Sequence, residues 1–318
     1  MDLFDTSLSI LNEDITIDLR GQYPVARVDF FLNPRHLRGS DFLMRWSQGV
    51  WSEERIIQAV NETNKYFALP YGPSSIAPQD IRERDLYFER LEQAGLGKQK
   101  RPDLLIFRNS NKTSINEIIN KLGGIQELPF ISEDNPDMQQ ILSKAIIAVE
   151  CETSLWKAQN MPDYGLQLTR QRRLKGQFGL KKNAVIPTVI LKEEDRLPLR
   201  TWQEQRGIKI HIWQVFFDIA IGLVFDTAED LITTGKIQAK IQTFHAPNGA
   251  TTRKTIYFLY YHYAYPIGSA KEEPTLIPDY IEERNGYILP YVRFKGGSLI
   301  ISPEALQVLD NISNKDIE

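Results

Sequence analysis

The chain is poor in cysteine and histidine. A single cysteine, Cys151, occurs among 318 residues, so an internal disulfide framework is excluded. This usage is typical of a reducing cytoplasm, where we expect the protein to reside. No CxxC pair, Cys/His cluster or HExxH pair is present, which excludes the common zinc motifs. A GxSxG elbow and a glycine-rich phosphate loop are also missing, so neither serine-triad hydrolysis nor ATP-driven translocation is expected.

Long apolar runs are absent too. The longest, residues 210–225, is interrupted by Gln214 and Asp218 and falls short of the roughly 20 residues that a membrane span needs. We interpret it as a buried strand, or a strand followed by a helix, and expect no membrane partner. The acidic N-terminus lacks the basic start and apolar middle of a signal peptide, so no export is expected. The net charge of −3 is too small to indicate a polyanionic partner by itself.

No internal repeat, low-complexity tract or Pro/Gly-rich linker divides the chain. We therefore predict a single domain over residues 1–318. Its subregions are an N-terminal part of strands and helices, a catalytic core, and a C-terminal β-hairpin region, at 1–98, 99–235 and 236–318.

Apolar runs of strand length alternate with helical patterns. The predicted core strands are residues 102–107, 145–152, 184–191 and 208–217. A helix over 193–207 is expected between the last two. This alternation predicts a mixed α/β sheet.

Further elements are predicted from capping and turn signals. Ser52 is placed as an N-cap for a helix over residues 50–67, and a second helix is expected from Pro78 to a stop at Gly95 and Gly97. Two more helices are predicted, at 113–124 and around 227–235, and short strands are expected within 15–32. Residues 236–266 predict a hairpin that turns at Asn248-Gly249.

Three acids stand at the ends of predicted core strands. Asp103 opens one strand, and Glu150 and Glu152 end the next. Because successive side chains of a strand point to opposite faces, the two glutamates would lie side by side with Cys151 directed away. Their repulsion must be offset by a cation, a metal or a shared proton. Converging carboxylates of this kind are suited to Mg²⁺, which activates water and polarises a phosphodiester.

These residues resemble the PD-(D/E)XK nuclease motif, with Pro102-Asp103 as its first half and Glu150-Cys151-Glu152 as its second. The surrounding sequence, roughly residues 100–267, resembles the AccI type of type II restriction endonuclease. The resemblance implies a restriction-endonuclease-like mixed central sheet flanked by helices, with an N-terminal helical region and a C-terminal β-hairpin region.

The resemblance also implies an activity, which is Mg²⁺-dependent cleavage of both DNA strands at a short palindrome, leaving 5'-phosphate and 3'-hydroxyl ends. Asp103, Glu150 and Glu152 would be catalytic, and Asp103, Glu150 and Cys151 would bind the metal. A palindrome is most simply read by a homodimer. A cognate DNA methyltransferase is expected in the same restriction-modification system.

The chain departs from the usual motif at Glu152, where the superfamily has lysine. Either Glu152 orients or deprotonates water through the metal, or Lys157 or Lys192 supplies the positive charge. The interval between the half-motifs is longer than usual and must hold an insertion, the helical segment 113–124. We also consider Glu83 as a helix acid that approaches the metal.

Two segments are candidates for contacting DNA. Residues 166–182 are basic and contain no acid, which favours phosphate or guanine contacts, although a solvated loop is the plain alternative. Its cations are Arg170, Arg172, Arg173, Lys175, Lys181 and Lys182. The hairpin tip is a narrow ribbon suited to a major groove, or else an exposed turn. Its candidate side chains are Asn248, Thr251, Thr252, Arg253 and Lys254.

Two other functions fit the same residues. A non-catalytic, sequence-specific DNA-binding regulator on a nuclease-like scaffold would need the basic segment and the hairpin but not Asp103. A structure-specific repair or recombination nuclease would cut branched or damaged DNA regardless of sequence.

Overall fold

The computed structural model of the chain describes residues 34–77, 87–88, 90–92, 94–96, 100–245, 251–282 and 288–315. Within these, the helices are α1 (Pro34–Glu62), α2 (Pro73–Ile76), α3 (Lys112–Lys121), α4 (Pro136–Leu142), α5 (Glu193–Arg206), α6 (Phe225–Thr233) and α7 (Pro303–Lys315). The strands are β1 (Tyr66–Pro70), β2 (Leu104–Arg108), β3 (Ala145–Thr153), β4 (Thr169–Arg170), β5 (Phe178–Gly179), β6 (Thr188–Lys192), β7 (Ile210–Val215), β8 (Ile219–Val224), β9 (Lys240–His245), β10 (Thr251–Tyr260), β11 (Tyr265–Glu272), β12 (Thr275–Glu282), β13 (Ile288–Lys295) and β14 (Ser298–Ile301).

A seven-stranded mixed sheet forms the centre of the fold. Its strand order is β1-β2-β3-β7-β8-β11-β14. β3 and β7 pair in parallel, and the other neighbours pair antiparallel. A parallel pair needs a crossover, which here passes through β6 and α5. The predicted mixed α/β class is therefore confirmed.

Helices cover both faces of this sheet. On one face, Trp51 and Ile56 of α1 and Leu309 of α7 pack with Ile147 and Val149 of β3. A second cluster lies on the opposite face and contains Ala148, which stands between Ile147 and Val149 in β3. Its other buried residues include members of α3, α4, α5 and α6. β3 is thus buried on both sides and reads as a continuous apolar run, which is why its strand assignment from the sequence is correct.

A smaller sheet of order β6-β10-β9 lies beside the central sheet. The predicted hairpin supplies two of its strands, β9 and β10, which pair from His245 opposite Thr251 to Lys240 opposite Ile256. Both arms are therefore confirmed, whereas the predicted Asn248-Gly249 turn lies outside the described residues.

The first helix corrects the prediction. Ser52 does not cap it, since α1 begins at Pro34 and runs through Gly49 without interruption. The Ser52 hydroxyl donates to the carbonyl of Gly49 at 2.8 Å and lies 2.5 Å from the hydroxyl of Thr153. Burial of Leu43 and Trp51 against the sheet outweighs the local capping signal.

Residues 210–225 form two antiparallel strands, β7 and β8, instead of one strand or a strand followed by a helix. Asp218 lies in the turn between them, and its carboxylate accepts the main-chain N–H groups of Ala158 and Gln159. The C-terminal region is also more than a hairpin, because β11 and β14 extend the central sheet.

The predicted second helix is described only in part. Residues 87–88 and 90–92 are helical, and Gly95, at φ 73°, ends this helix as predicted. Pro78, Glu83 and Gly97, like the predicted strands within 15–32, lie outside the described residues. Helix α3 confirms the predicted helical insertion between the half-motifs. Among the described helices, we find none that combines the length and the apolar character required to cross a bilayer.

Candidate active site

Glu150 and Glu152 project from the same face of β3, as the sequence predicts. Glu150 is buried, with only 5% of its surface exposed, and Glu152 is partly buried. Cys151 between them packs against the apolar cluster that contains α1. The pair therefore lies on the face that carries α5, in a setting where unpaired negative charge is costly.

Asp195 completes a group of three acids. It lies in the first turn of α5, directly after β6. Ligand oxygens of Glu150, Glu152 and Asp195 all lie within 4.8 Å of one another. Three carboxylate oxygens at this spacing can share one divalent ion, and oxygen is the ligand that Mg²⁺ prefers.

Two lysines are directed at the same group. Lys100 Nζ donates a hydrogen bond to Glu150 Oε1, and Lys192 Nζ donates one to Glu152 Oε1 at 2.7 Å. Both ammonium groups also approach Asp195, at 3.8 and 4.0 Å. The repulsion between the glutamates is therefore offset by cations of the chain itself.

One oxygen of the cluster remains unpartnered. Glu150 Oε2 is buried and has no hydrogen-bond partner among the described residues. Such an atom is destabilising unless something binds it. A divalent ion held with Glu152 and Asp195 fits this oxygen, since the donor set is all carboxylate.

Asp103 lies directly before β2, beside the two glutamates. Its Oδ2 accepts the main-chain N–H of Cys151 at 2.8 Å, so it contacts the strand between them. The carbonyl oxygen of Asp103 accepts the N–H groups of Tyr71 and Gly72, at 2.7 and 3.0 Å. Asp103 is not a member of the group that contains Asp195. Its role as a metal ligand stays a prediction.

A fifth acid, Glu53, lies on α1 close to Asp103. Burial, together with the nearby Asp103 carboxylate, raises the pKa of Glu53 to about 8. Burial and the same Asp103 charge raise the pKa of Glu150 well above its usual range. The raised pKa values favour protonation of Glu53 and Glu150 near neutral pH, which reduces the negative charge of the acids together with the two lysines. Glu83, which the sequence suggests as a helix acid near the metal, lies outside the described residues, so that role stays a prediction, whereas Glu53 of α1 lies close to Asp103.

A buried polar network supports Asp103 from below. Arg101 is 3% exposed, donates to two main-chain carbonyls, and lies 3.4 Å from Glu133. Glu133 accepts hydrogen bonds from Trp202 Nε1 at 2.7 Å, from Arg206 Nε at 3.0 Å and from the Tyr71 hydroxyl. These contacts fix both the segment that leads into Asp103 and the loop that holds its carbonyl.

The predicted basic segment is a small antiparallel ribbon, β4 and β5, with a connecting turn. All six predicted cations are exposed, namely Arg170, Arg172, Arg173, Lys175, Lys181 and Lys182. Exposed aromatic side chains accompany them, with Phe178 53% and Trp156 52% exposed. This combination is typical of surfaces that bind nucleic acid.

The hairpin places its predicted residues at the start of β10. Arg253 is exposed, whereas Lys254 Nζ pairs with Glu194 at 2.6 Å. Thr251 and Thr252 pair opposite His245 and Phe244 through the main chain. The fifth predicted residue, Asn248, lies outside the described residues.

The two lysines considered for the positive charge of the motif have different partners in the structure. Lys192 is bound to Glu152, whereas Lys157 pairs with Glu273 at 2.6 Å. The sequence alone does not predict that Glu53, Lys100 and Asp195 lie near the two glutamates. Glu53 and Asp195 stand in charged runs within predicted helices, and Lys100 stands in a basic run before a predicted strand, but their convergence depends on the strand order.

Part of the chain matches a known protein family. The family model of the AccI restriction endonuclease matches residues 18–157. This segment contains β1, β2 and β3, and hence Asp103, Glu150 and Glu152. Over this segment it confirms the predicted resemblance to AccI-type restriction endonucleases, and the match begins and ends earlier than the resemblance quoted from the sequence. No curated protein and no solved structure matches the chain.

Proposed function

Because residues 18–157 match the AccI restriction endonuclease, we propose that the chain is a type II enzyme that cleaves both strands of DNA at a short palindrome. The products would carry 5'-phosphate and 3'-hydroxyl ends. The observation that carries this proposal is the buried, unpartnered Oε2 of Glu150, which lies on β3 within the matched segment and belongs to a group of three carboxylates with Glu152 and Asp195.

Glu150, Glu152 and Asp195 would hold a Mg²⁺ ion, with Asp103 beside them. When bound, the ion supplies positive charge to the scissile phosphate and lowers the pKa of water. Lys192 takes the part of the usual motif lysine, because its ammonium group reaches Glu152 from β6 instead of from the motif itself. It can turn from Glu152 toward a phosphate oxygen. The placement of Asp103, Glu150 and Glu152 on adjacent strands supports a restriction-endonuclease-like PD-(D/E)XK fold.

Asp103 and Glu53 form the other side of the site. Burial and the Asp103 carboxylate raise the pKa of Glu53 to about 8, which favours its protonated form near neutral pH, and a bound cation would lower this pKa. The exposed cations of the β4–β5 ribbon and the β9–β10 hairpin would hold the DNA backbone. Two copies of the chain, as a homodimer, would present one site to each strand.

The test is cleavage of a plasmid of known sequence with and without Mg²⁺. Discrete fragments that map to one palindrome are expected with Mg²⁺, and none without it. Glu150→Gln should still bind the cognate duplex in Ca²⁺ but cut it roughly 100- to 1,000-fold more slowly in Mg²⁺, the range found when one group that stabilises transition-state charge is lost.

Glu117→Gln is the matched control, since Glu117 is an exposed glutamate on α3. It should cut at the wild-type rate. Undiminished cutting by Glu150→Gln would reject the assignment of the site. Retained, sequence-specific binding by a wild-type chain that never cuts would favour the DNA-binding regulator.

A further inference from the structure

A pocket of about 690 Å³ lies next to the candidate active site. We call it the side pocket. The loop after β3, the basic segment, β6, residues 236–240 and β10 line it. Its floor is apolar and includes Met161, Ile186, Ile190 and Ile237. Pockets of this size hold small organic molecules, whereas a surface that only follows a DNA backbone needs no such depth.

The side pocket occupies one face of the smaller sheet. Val189 and Leu191 of β6 face the core, with Leu259 and Tyr257 opposite them on β10. The alternate residues line the pocket, where Ile190 pairs with Phe258, and Thr188 pairs with Tyr260. The period of two along a strand thus separates a core face from a pocket face.

The same face leads directly to the acids. Lys192, which binds Glu152, follows Ile190 by two residues on β6. Ser154, which lines the pocket, follows Glu152 by two residues along the chain from β3. Two residues of strand span roughly 7 Å. That is on the order of two base steps along a DNA strand, at about 3.4 Å each.

Positive charge surrounds the opening. Five cations line the pocket, and none of its described lining residues is an acid. They are Arg173, Lys181, Lys182, Lys236 and Lys240. Lys181 is held by Asp163 at 2.6 Å, and Lys240 lies over the ring of Phe258, 5.0 Å from its centroid. The excess of positive charge suits a phosphate at the rim.

Aromatic side chains form part of the walls. Trp156 is 52% exposed, and Phe258 and Tyr260 are partly exposed on the pocket face. Exposed aromatic rings beside cations are the usual stacking partners of unpaired nucleobases. An apolar floor, aromatic walls and a cationic rim together match the base and the phosphate of one nucleotide.

We propose that the side pocket receives a single nucleobase of the DNA substrate, turned out of the duplex within a few base steps of the scissile phosphate. This rests on the proposed function for its location in a DNA cleavage reaction. Enzymes that extrude a base bind it by stacking in a pocket while the phosphates stay on a charged rim. The side pocket has aromatic side chains for stacking and cations for the phosphate, and it begins two residues from Glu152 and Lys192.

The first experiment measures whether the pocket binds nucleotides. The probes are the four deoxynucleoside 5'-monophosphates, followed by saturation-transfer NMR on the intact protein. Saturation transfer from the protein to the base protons is expected, with a millimolar Kd for the nucleotide. Inorganic phosphate should displace the nucleotide at least 5-fold less effectively than a second nucleotide does. Trp156→Ala should weaken binding at least 5-fold. Tyr280→Ala is the matched control, because Tyr280 is 50% exposed on β12 and does not line the pocket.

Three results would each overturn the proposal. They are no transfer to base protons, equal competition by inorganic phosphate, and equal binding by Trp156→Ala and the wild type. None of these measurements depends on cleavage. A chain that binds nucleotides here but cuts no DNA would refute the endonuclease and leave the pocket assigned, whereas a chain that cuts DNA but fails the NMR test would refute the pocket.

The second experiment tests extrusion of the base, once the cleaved sequence is mapped. Duplexes that carry one mismatch at each position in turn are bound in Ca²⁺. A mismatch at the extruded base should increase affinity at least 10-fold, because the base is already unpaired, and Trp156→Ala should abolish that gain. Weaker binding at every mismatched position would overturn base extrusion.

Discussion

Replacing Gly72 by alanine should displace the carboxylate of Asp103 without touching it directly. A Cβ at this position would lie 3.0 Å from both Asp103 Cα and the carbonyl oxygen of Pro102, where ordinary contact begins at 3.4 Å. The backbone of Gly72, at φ −63° and ψ 145°, is open to any residue, so the effect is steric. Both obstacles are main-chain atoms, held by the Arg101 network below.

The magnitude follows from this geometry. The loop and the segment before β2 must separate by about 0.4 Å, which is overpacking of the kind that costs roughly 1–3 kcal/mol of unfolding free energy. The separation strains the hydrogen bonds from Tyr71 and Gly72 to the Asp103 carbonyl, and with them the contact between Asp103 and Cys151. Misplacing a reactive group by about 1 Å costs about 10² in rate, so kcat should fall roughly 10- to 100-fold.

Urea unfolding and single-turnover cleavage measure the two effects. KM for DNA should stay near the wild-type value, because the DNA-binding residues are elsewhere. Gly49→Ala is the control, since no atom lies within 4 Å of its Cβ and the residue is inside α1. It should stabilise the protein by up to about 1 kcal/mol and leave kcat unchanged. An unfolding midpoint and a kcat for Gly72→Ala that both equal those of the wild type would refute the reasoning.

Two further variants test charges described above. Lys192→Met should reduce cleavage at least 10-fold and the free energy of unfolding by roughly 1–3 kcal/mol, because it leaves the partly buried Glu152 without its hydrogen-bond donor. Lys157→Met is the comparison, since it loses only a surface ion pair with Glu273. It should change the free energy of unfolding by about 0–1 kcal/mol and leave cleavage unchanged. Equal cleavage by the two variants would contradict the assignment of Lys192. A third variant tests the pH dependence of stability through His211, a buried residue of β7 whose Nδ1 lies 2.7 Å from the Tyr265 hydroxyl. Burial lowers its pKa to about 4, below the unfolded value of 6.5, so the unfolded chain takes up the proton first and up to about 3 kcal/mol of stability is lost as pH falls from 6.5 to 4. His211→Gln should flatten urea-unfolding free energies over that range, and a slope as steep as that of the wild type would exclude His211 as the cause.

The sequence predicts the strands that form the centre of the sheet because their residues are apolar on both faces. β2, β3 and β7 follow from such runs, and the side-by-side placement of Glu150 and Glu152 follows from the period of two. Cys151 points away from them, as the same period requires.

The rest of the site depends on long-range order that local patterns do not contain. Asp195 and Lys192 reach the glutamates because β3 and β7 pair in parallel, with β6 and α5 in the crossover between them. Ser52 shows the opposite failure, since a good local capping residue lies inside a helix that begins well before it, at Pro34. The pattern of residues 210–225 does not predict β8 as a separate strand, because Gln214 and Asp218 both interrupt the apolar run and only Asp218 marks the turn between β7 and β8.

The strand order determines which truncated fragments of the protein can keep the central sheet intact. The segment that matches the family model ends at residue 157, yet the neighbour of β3 on its far side is β7, at Ile210–Val215. Excised alone, the segment would expose one whole edge of its most apolar strand, which invites aggregation. A fragment that contains all seven strands of the central sheet must extend to Ile301, where β14 ends.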